Sequence, residues 1–403
     1  MNLFSPRNAV TLALAIGLSW IPARYQPGAI RFEHHYISRD LPVNGAVGDY
    51  GQTALADIDK DGHPDFILGR KGGNSIVYWF RYVSPDQWEQ HIVGRDSLSD
   101  VGACALDVDG DGWTDIVCGG VWYRNPKNPK EKEFERHVFD ADCAGAHDVL
   151  AADMDGDGVK DIVTMSEGKG LVWYKIPKDP TQPWEKHRIG AGVHGAITPA
   201  GVGDIDGDGD LDVVRADTWY ENKDGKGTEW VEHKNIPFGR VGPFGMCVRC
   251  AIVDMDGDGK PELVMCDADI TGSKVTIMKN VDGKGGKWER HDLPQSFNYG
   301  SLHSLAVADF NKDGKPDIVS NEQEELLPDG RQNPRWILWE NLGNGQFAER
   351  IILDSRLGGH ELQVGDIDGD GYPDICSKIW GPQPWNGNGG KMHVDFLKDV
   401  TAR

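Results

Sequence analysis

A nine-residue pattern of the form D-x-D-x-D-G-x-x-D, with small variations, occurs seven times in this chain of 403 residues. The copies begin at Asp57, Asp107, Asp153, Asp204, Asp254, Asp309 and Asp366, so successive copies lie 46 to 57 residues apart. This period is typical of β-propellers, in which each repeat is one blade packed against its neighbours. The repeat therefore predicts a single architecture for most of the chain.

Each copy lies within the same series of short segments. Around the third copy, a small apolar run (149–152) precedes the Asp loop and a β-branched pair (162–163) follows it. An aromatic segment (172–174) comes next, and then a segment with the pattern Trp-Glu-x-His (184–187). Four short strands per repeat are typical of a propeller blade. We therefore predict an all-β chain folded as a seven-bladed β-propeller.

The two ends of the repeat region predict how the ring closes. A third strand at 392–397 follows the seventh Asp loop, but no fourth strand follows it. The missing copy stands near the N-terminus, at 32–35. We expect this N-terminal strand to complete the last blade, which leaves no open sheet edge. Residues 24–403 then form one propeller domain.

The N-terminal segment predicts export. Arg7 precedes an apolar stretch at 9–21, and Pro22-Ala23 offers a cleavage point, so residues 1–23 are interpreted as a signal peptide. We expect a secreted or periplasmic monomer with no membrane attachment after cleavage. The net charge of −22 argues against nucleic-acid binding, which needs a basic surface.

Seven cysteines are present, and this odd number leaves at least one thiol without a partner inside the chain. Buried thiols in the inner strands, with one or two disulfides at most, are the favoured interpretation. Cys247 and Cys250 form a Cys-x-x-Cys pair, but no second pair accompanies them. This pair is therefore only a weak indication of zinc.

The acidic loops predict calcium sites. Oxygens at positions 1, 3, 5 and 9 converge on one centre, and such a set of hard donors suits Ca²⁺. The predicted ligands are Asp57, Asp59, Asp61 and Asp65; Asp107, Asp109, Asp111 and Asp115; Asp153, Asp155, Asp157 and Asp161; Asp204, Asp206, Asp208 and Asp212; Asp254, Asp256, Asp258 and Glu262; Asp309, Asn311, Asp313 and Asp317; and Asp366, Asp368, Asp370 and Asp374.

These segments resemble the VCBS and FG-GAP-like repeats that build integrin-type propellers, fungal lectins and several carbohydrate-active enzymes. The resemblance implies the propeller fold and up to seven structural Ca²⁺ ions. Because equivalent loops recur in every blade, none of them is expected to be a catalytic centre.

Residues that do not repeat are the candidates for a functional site. His147, His303 and His360 each lie six residues before an Asp loop, and His194 lies ten before one. In a propeller these segments enter the inner strands on the face opposite the calcium turns, so we expect the four histidines to converge near the axis. Other non-repeating polar residues map to the same face, among them Tyr50, Arg70, Glu167, Arg215, Asp217, Arg249, Asp267, Asp269, Glu322 and Lys378. The insertion in blade seven adds Trp380 and Trp385.

Three functions remain open. The chain is similar to secreted propellers that cleave uronate-containing polysaccharides by β-elimination, of the rhamnosyl-glucuronate lyase type, and to the propeller of aldos-2-ulose dehydratase. A lyase needs a base, a group that holds the substrate carboxylate, and an acid. His147 or His303 is the predicted base, Arg249 or Arg215 the predicted carboxylate ligand, and Tyr50 or His360 the predicted acid, with His194 in the same cluster.

Arg70, Lys378, Trp380, Trp385 and Glu322 are the predicted substrate-binding residues for an acidic polysaccharide or oligosaccharide. A dehydratase with a channel metal, held by some of the four histidines, is a variant of this hypothesis. The alternatives are a calcium-dependent lectin or adhesion propeller without catalysis, and a structural surface protein. A lectin would have near-equivalent pockets in several blades, whereas the histidines are placed asymmetrically.

Overall fold

The computed structural model describes residues 30–43, 50–71 and 75–401. The predicted signal peptide lies outside these described residues. Within them the chain forms seven antiparallel sheets of four strands, one of which carries an additional short parallel strand. The predicted all-β, seven-bladed propeller is therefore confirmed. None of the described helices has the length and apolar character needed to cross a membrane.

The strands, in chain order, are β1 (Phe32–Ser38), β2 (Tyr50–Ala56), β3 (Asp65–Arg70), β4 (Val77–Ser84), β5 (Gln87–Gly94), β6 (Cys104–Leu106), β7 (Asp115–Cys118), β8 (Val121–Arg124), β9 (Glu135–Val138), β10 (Asp148–Ala152), β11 (Asp161–Ser166), β12 (Gly170–Lys175), β13 (Glu185–Gly190), β14 (Pro199–Ala200), β15 (Val202–Gly203), β16 (Asp212–Arg215), β17 (Thr218–Asn222), β18 (Trp230–His233), β19 (Val241–Gly242), β20 (Gly245–Met246), β21 (Val248–Val253), β22 (Glu262–Asp267), β23 (Val275–Asn280), β24 (Trp288–Asp292), β25 (Ala306–Ala308), β26 (Asp317–Asn321), β27 (Trp336–Gly343), β28 (Gln346–Leu353), β29 (Glu361–Gly365), β30 (Asp374–Lys378) and β31 (Val394–Asp399). A short 3₁₀ turn spans Pro328–Gly330.

The blades follow one another along the chain. Blades one to four are β2–β5, β6–β9, β10–β13 and β15–β18, and blades five and six are β21–β24 and β25–β28. The short strand β14 pairs in parallel with β21, and β19 and β20 form a separate hairpin. Each Asp loop joins the first and second strands of its blade, so all seven loops lie on one face of the ring. The connections that enter the first strands lie on the opposite face.

The ring closes as the sequence predicts. Blade seven consists of β29, β30 and β31, and the N-terminal strand β1 pairs antiparallel with β31. The two termini are also joined by side chains, because His34 Nε2 lies 2.9 Å from Asp395 Oδ1. The first and last strands of the domain therefore hold each other in the same sheet.

Repeating aromatic and imidazole rings pack inside the blades. In blades one to four, the tryptophan of the third strand stacks on the histidine opposite it in the fourth strand. The ring centroids lie 4.6 Å apart for Trp79–His91, 4.5 Å for Trp122–His137, 4.2 Å for Trp173–His187 and 4.3 Å for Trp219–His233. The repeated histidines thus belong to blade packing.

Buried asparagines link neighbouring blades. Asn222, at the end of β17, donates from Nδ2 to the carbonyl oxygen of Met154 in the preceding blade at 3.1 Å, and its Oδ1 accepts from Gly227 N at 2.8 Å. Equivalent Nδ2 bonds to a preceding blade are made by Asn125, Asn280 and Asn341. Each bond satisfies a buried carbonyl at the start of an Asp loop.

Replacing Asn222 with alanine should destabilise the propeller. The substitution leaves the Met154 carbonyl and the Gly227 amide without their partner, and each buried unsatisfied group costs about 1–3 kcal/mol. We expect the free energy of unfolding to fall by about 2–4 kcal/mol in urea denaturation with calcium present. Asn128→Ala, which removes only an exposed contact with Glu131, should change it by less than about 0.5 kcal/mol. Equal losses of stability in the two variants would contradict the stabilising role of the hydrogen bonds that Asn222 makes.

Candidate functional site

The Asp loops share a preformed acceptor geometry. In the first loop, the carboxylate of Asp57 accepts hydrogen bonds from Asp61 N at 3.1 Å and Gly62 N at 3.0 Å. Gly62 has a φ of 96°, a left-handed conformation that a glycine adopts without steric cost. The same bond from the sixth residue to the first recurs in all seven loops. The carboxylates at positions 3 and 5 also accept loop amides, since Asp59 accepts from Asp61 N at 3.3 Å and Asp61 accepts from His63 N at 3.1 Å.

The ninth residue of each loop is a buried carboxylate. Asp65 accepts from Ile58 N at 3.1 Å and from Tyr82 N at 3.0 Å, and burial raises its pKa to about 8. Burial also raises the pKa of the ninth acid to about 8 in the fourth loop and to about 7 in the other five. In the loops at Asp107 and Asp153, the acids at positions 1, 3 and 9 offer oxygens within 4.8 Å of one another. This set of hard oxygens fits a divalent cation, whose charge would favour the ionised acids.

Basic side chains contact the outer carboxylates of the same loops. Arg81 lies 2.7 Å from Asp59 and 2.6 Å from Asp61. Lys175, Lys279 and Lys398 contact acids at the corresponding positions of the third, fifth and seventh loops. These cations neutralise part of the acidic face and would compete with a bound ion for positions 3 and 5.

The opposite face carries a different site. His147, His194, His303 and His360, which we call the axial cluster, come from the segments that precede β10, β14, β25 and β29. The ring centroids lie 4.5 Å apart for His147–His194, 6.0 Å for His147–His303 and 3.6 Å for His303–His360. The structure therefore brings together four histidines that are spread over more than 200 residues of sequence.

The four imidazoles differ in access to solvent. The side chains of His147, His303 and His360 are 4%, 2% and 3% exposed, whereas that of His194 is 26% exposed. Burial and the neighbouring His147 lower the pKa of His194 to about 4. Burial also holds the pKa of His360 well below its ordinary value. His194 is thus a neutral imidazole at neutral pH and the member of the cluster that a solute reaches first.

Arg249 does not fit the predicted role of substrate carboxylate ligand. The residue is 1% exposed. Its Nε donates to the His303 carbonyl at 2.9 Å, one terminal nitrogen contacts Thr198 at 2.6 Å and Asp148 at 3.3 Å, and the other contacts Glu361 and lies 2.8 Å from His303 Nδ1. All three nitrogens of the guanidinium group are therefore already engaged, and Arg249 positions the cluster.

Lys378 and Tyr50 lie next to the cluster but are buried. Lys378 Nζ donates to His360 Nδ1 at 2.9 Å and to the Tyr50 carbonyl at 2.8 Å, and burial lowers the pKa of Lys378 to about 7. The Tyr50 hydroxyl donates to the Pro42 carbonyl at 2.8 Å, an arrangement that does not suit the predicted acid. The Arg70 guanidinium lies 5.7 Å from the centre of the Tyr50 ring and is 8% exposed as a residue.

Three predicted residues lie apart from the cluster or are engaged elsewhere. The side chain of Arg215 contacts Thr218 at 3.2 Å and Asp217 at 3.5 Å in its own blade. Glu322 is fully buried, and its carboxylate holds Arg331 and the backbone amides of Gly300 and Arg335. This ion pair stabilises the insertion of blade six and leaves no free carboxylate for a substrate. Trp385 is half-buried in the insertion of blade seven.

The predicted ligand and catalytic sets omit four side chains that belong to the cluster. Asp148 accepts from His147 Nδ1 at 2.8 Å and from two backbone amides, Ala196 and Ile197. Asp269, Glu361 and Cys247 all lie close to His303. Two signals were available in the sequence, namely the position of Asp148 beside His147 and the place of Asp269 among the non-repeating polar residues of the same face. Cys247 and Glu361 reach the cluster from blades five and seven and carried no such signal.

Aromatic and charged residues surround the entrance to the cluster. Phe244, at the tip of the β19–β20 hairpin, is 57% exposed and stacks on His194 at 5.7 Å. Trp380 stacks on His360 at 4.4 Å, and Lys71 Nζ lies 5.1 Å from the Trp380 ring. Glu325 is exposed and lies within hydrogen-bonding distance of Gln383, at 3.3 Å. We call Phe244, Trp380, Lys71 and Glu325 the site mouth.

A cavity of about 190 Å³ lies along the propeller axis, and His147, Arg249 and Glu361 are among the residues that line it. First-strand residues of blades one, two, three, five and seven contribute to its wall, together with Thr198, Pro199 and Leu305 from the segments that precede the first strands of blades four and six. The cavity has room for a few water molecules, since one water occupies about 30 Å³ in the liquid. A larger solute therefore has to meet the axial cluster from the site mouth.

Several solved structures are similar to this chain at low sequence identity. It matches the structure of BBS1N in complex with ARL6DN, soaked with lead, with 9% identity and a TM-score of 0.50, over 94% of this chain and 99% of that one. A mutant of AofleA from Arthrobotrys oligospora matches with 11% identity and a TM-score of 0.43, over 92% and 91% of the two chains. A chain of the Photorhabdus luminescens Tc holotoxin pore matches with 14% identity and a TM-score of 0.38, over 85% of this chain but 17% of that one. At these identities the likeness concerns the fold alone.

No curated protein matches the sequence. A sequence profile described as FG-GAP-like repeat, however, matches residues 57–118, 107–164, 153–215, 204–265, 254–320 and 326–377. Together these segments cover more than half of the chain and include all seven Asp loops. The chain therefore belongs to the FG-GAP-like repeat family.

Proposed function

We propose that this protein is a carbohydrate-active carbon–oxygen lyase that acts on a uronate-containing polysaccharide at the axial cluster. The observation that carries the proposal is the convergence of one accessible neutral imidazole, two exposed or half-exposed aromatic rings and an exposed carboxyl group at one end of the propeller axis. This arrangement occurs once among the described residues, as expected for a catalytic site, whereas the Asp loops recur in every blade.

His194 is the best candidate for the base. In β-elimination, the proton on the carbon beside the uronate carboxylate passes to the imidazole, a carbon–carbon double bond forms, and the bond from the neighbouring carbon to the glycosidic oxygen breaks. His194 is partly exposed and neutral at neutral pH, so it can accept that proton. Phe244 and Trp380 offer aromatic surface on which sugars stack, and Lys71, which is paired with Asp100, lies beside Trp380 at the mouth.

Glu325 is the best candidate for the acid. Partial desolvation, together with the charges of Glu324 and Asp269, raises the pKa of Glu325 to about 7. The carboxyl group therefore holds its proton up to neutral pH and can give it to the departing glycosidic oxygen. Both Glu325 and His194 lie near Asp269, whose charge acts on each of them.

The lyase proposal predicts a new ultraviolet absorbance from unsaturated uronate. The wild-type protein with calcium should produce it from at least one member of a panel of rhamnose- and glucuronate-containing polysaccharides. His194→Ala should lower kcat by about 10²–10⁴, because it removes the base. His291→Ala, an exposed outer-strand histidine, should retain activity. A flat trace across the panel with glycan binding intact would reject the lyase and favour the lectin hypothesis.

The acid assignment predicts a specific pH dependence. Because Glu325 must be protonated to act, activity should fall as pH rises through about 7, the raised pKa of this group. Glu325→Gln cannot donate a proton, so its kcat should be lower by about 10²–10⁴ and should no longer fall through this range. Steady-state kinetics from pH 5 to 9 would measure both effects. An unchanged alkaline limb in the variant would assign the acid to another group.

We further propose that the Asp loops bind Ca²⁺ and that these ions stabilise the fold. The support is the convergence of oxygens from positions 1, 3 and 9 together with the buried acid at position 9. Calcium-dependent stability also suits the exported location that the N-terminal segment predicts, because extracellular calcium modules work at submillimolar to millimolar affinity.

Removal of calcium by a chelator should therefore lower the melting temperature of the protein. An ion that binds only the folded state adds about 2.7 kcal/mol per site at a concentration of 100 times its Kd. Asp107→Ala should bind one ion fewer than wild type, measured by atomic emission after desalting, and should gain less stability from calcium. Glu229→Ala, which alters an exposed acid outside the loops, is the control. A melting temperature that does not respond to chelator would contradict the proposal.

A further inference from the structure

A sulfur, an oxygen and imidazole nitrogens meet at the centre of the axial cluster. Ligand atoms of His147, Cys247 and His303 all lie within 4.8 Å of one another. Cys247 Sγ is 4.0 Å from His303 Nε2, and Asp269 Oδ2 is 3.4 Å from the same nitrogen. His194 Nε2 lies 3.8 Å from Asp269 Oδ2 on the side of the site mouth.

These separations are close to those of a tetrahedral metal site. With metal–nitrogen, metal–oxygen and metal–sulfur distances of about 2.0–2.3 Å, a tetrahedral angle places a nitrogen and an oxygen ligand about 3.4 Å apart, and a nitrogen and a sulfur about 3.6 Å apart. The observed nitrogen–oxygen distance agrees with this value, and the nitrogen–sulfur distance exceeds it by a few tenths of an ångström. Small side-chain rotations would close the difference.

Contacts on the outer side hold both imidazoles in place. His147 Nδ1 bonds to Asp148 at 2.8 Å, which leaves its Nε2 for another ligand. His303 Nδ1 accepts from Arg249 Nη2 at 2.8 Å and lies 3.1 Å from the carbonyl oxygen of His360, and the ring presents Nε2 to Cys247 and Asp269. Such outer contacts fix the ring orientation of ligating histidines.

Asp269 provides an independent indication of a missing partner. The residue is 6% exposed, and its Oδ2 accepts no hydrogen bond from the residues that the structure describes. Its φ of 56° is a left-handed conformation, which costs energy for a residue other than glycine. A buried carboxylate oxygen held in a strained conformation and directed at two imidazoles is expected where a cation binds.

We propose that His147, His303, Cys247 and Asp269 form a site for one transition-metal ion of the Zn²⁺ class, with His194 next to its open side. This inference rests on the proposed function only in that both concern the axial cluster. Metal binding there does not require lyase activity. The donor set distinguishes the site from the Asp loops, since a thiolate and two imidazoles favour Zn²⁺ over Ca²⁺, whereas the loops contain only oxygen donors. Cys247 has to lose its proton to bind, so loading releases a proton.

A second cysteine near the start of the same blade provides a matched control. Cys250, three residues after Cys247, is also fully buried, but it packs in the apolar core with Val248 and Met265. Replacement of either cysteine by alanine therefore removes one buried thiol from the start of the same blade, and only Cys247→Ala removes a proposed ligand.

The test measures metal binding on the full chain. The protein is stripped with chelator, refilled with excess Ca²⁺ and titrated with Zn²⁺. We expect one tightly held zinc per chain in wild type and Cys250→Ala, and an affinity lower by at least about tenfold in Cys247→Ala and Asp269→Asn. Loading with Co²⁺ should give a sulfur-to-cobalt charge-transfer band in wild type and Cys250→Ala but not in Cys247→Ala. Melting curves in calcium report whether each variant folds.

The outcomes separate the metal site from the lyase. Wild-type protein that retains no zinc under excess calcium, or a cobalt complex without the charge-transfer band, would overturn the site even if Cys247→Ala fails to fold. Equal zinc affinity of folded Cys247→Ala and Cys250→Ala would also overturn it. Zinc binding without activity on the polysaccharide panel would reject the lyase and keep the site, and activity that survives complete zinc removal would keep the lyase without a catalytic metal.

Discussion

The buried carboxylate at the ninth position of each Asp loop is the interaction on which the rest of the propeller depends. One of its oxygens accepts the amide of the second loop residue, and in most blades the other accepts an amide of the third strand, as Asp65 does with Ile58 and Tyr82. A single side chain thus joins the loop, the second strand and the third strand of a blade. Burial of these acids is costly, as their raised pKa values indicate, and this cost is what a bound cation could offset.

The regular Asp loops on one face of the ring allow an irregular site to form on the opposite face. Because the inner strands are fixed in the same way seven times, the segments that enter them arrive at the axis at fixed positions. Side chains in those segments can then differ from blade to blade without altering the fold. The axial cluster uses this freedom, since its histidines, Arg249 and Cys247 come from blades that are otherwise equivalent in structure.

The sequence was sufficient to predict the fold because the pattern repeats seven times and each copy carries the same strand order. Closure by the N-terminal strand followed from the missing fourth strand at the C-terminus, and the pairing of β1 with β31 confirms it. The meeting of His147, His303 and His360 at the axis could also be anticipated, because residues placed equally before an Asp loop occupy equivalent places in their blades. His194 lies ten residues before its loop instead of six, and the sequence placed it only on the same face.

The roles of individual site residues could not be predicted in the same way, because they depend on partners from other blades. Arg249 resembles a substrate-binding arginine in the sequence, yet Asp148 and Glu361 from blades three and seven engage its guanidinium. Glu322 is likewise bound by Arg331 from its own insertion. Cys247 belongs to a Cys-x-x-Cys pair, but the strand directs its thiol to the cluster and that of Cys250 to the apolar core. Local sequence does not contain this information.

The charge balance of the axial cluster favours a positioning role for Arg249 over a direct catalytic role. Burial would raise the pKa of Asp148, but the hydrogen bond and charge of His147 and the charge of Arg249 outweigh it, so that the pKa lies below its ordinary value. Glu361 is kept ionised in a similar way, chiefly by Arg249. Removal of Arg249 would therefore leave two buried carboxylates without their cation, and breaking a buried pair of this kind typically costs about 3–5 kcal/mol. A loss of function in such a variant would report collapse of the network, whereas changes at His194, which is partly exposed, act on the reacting solute itself.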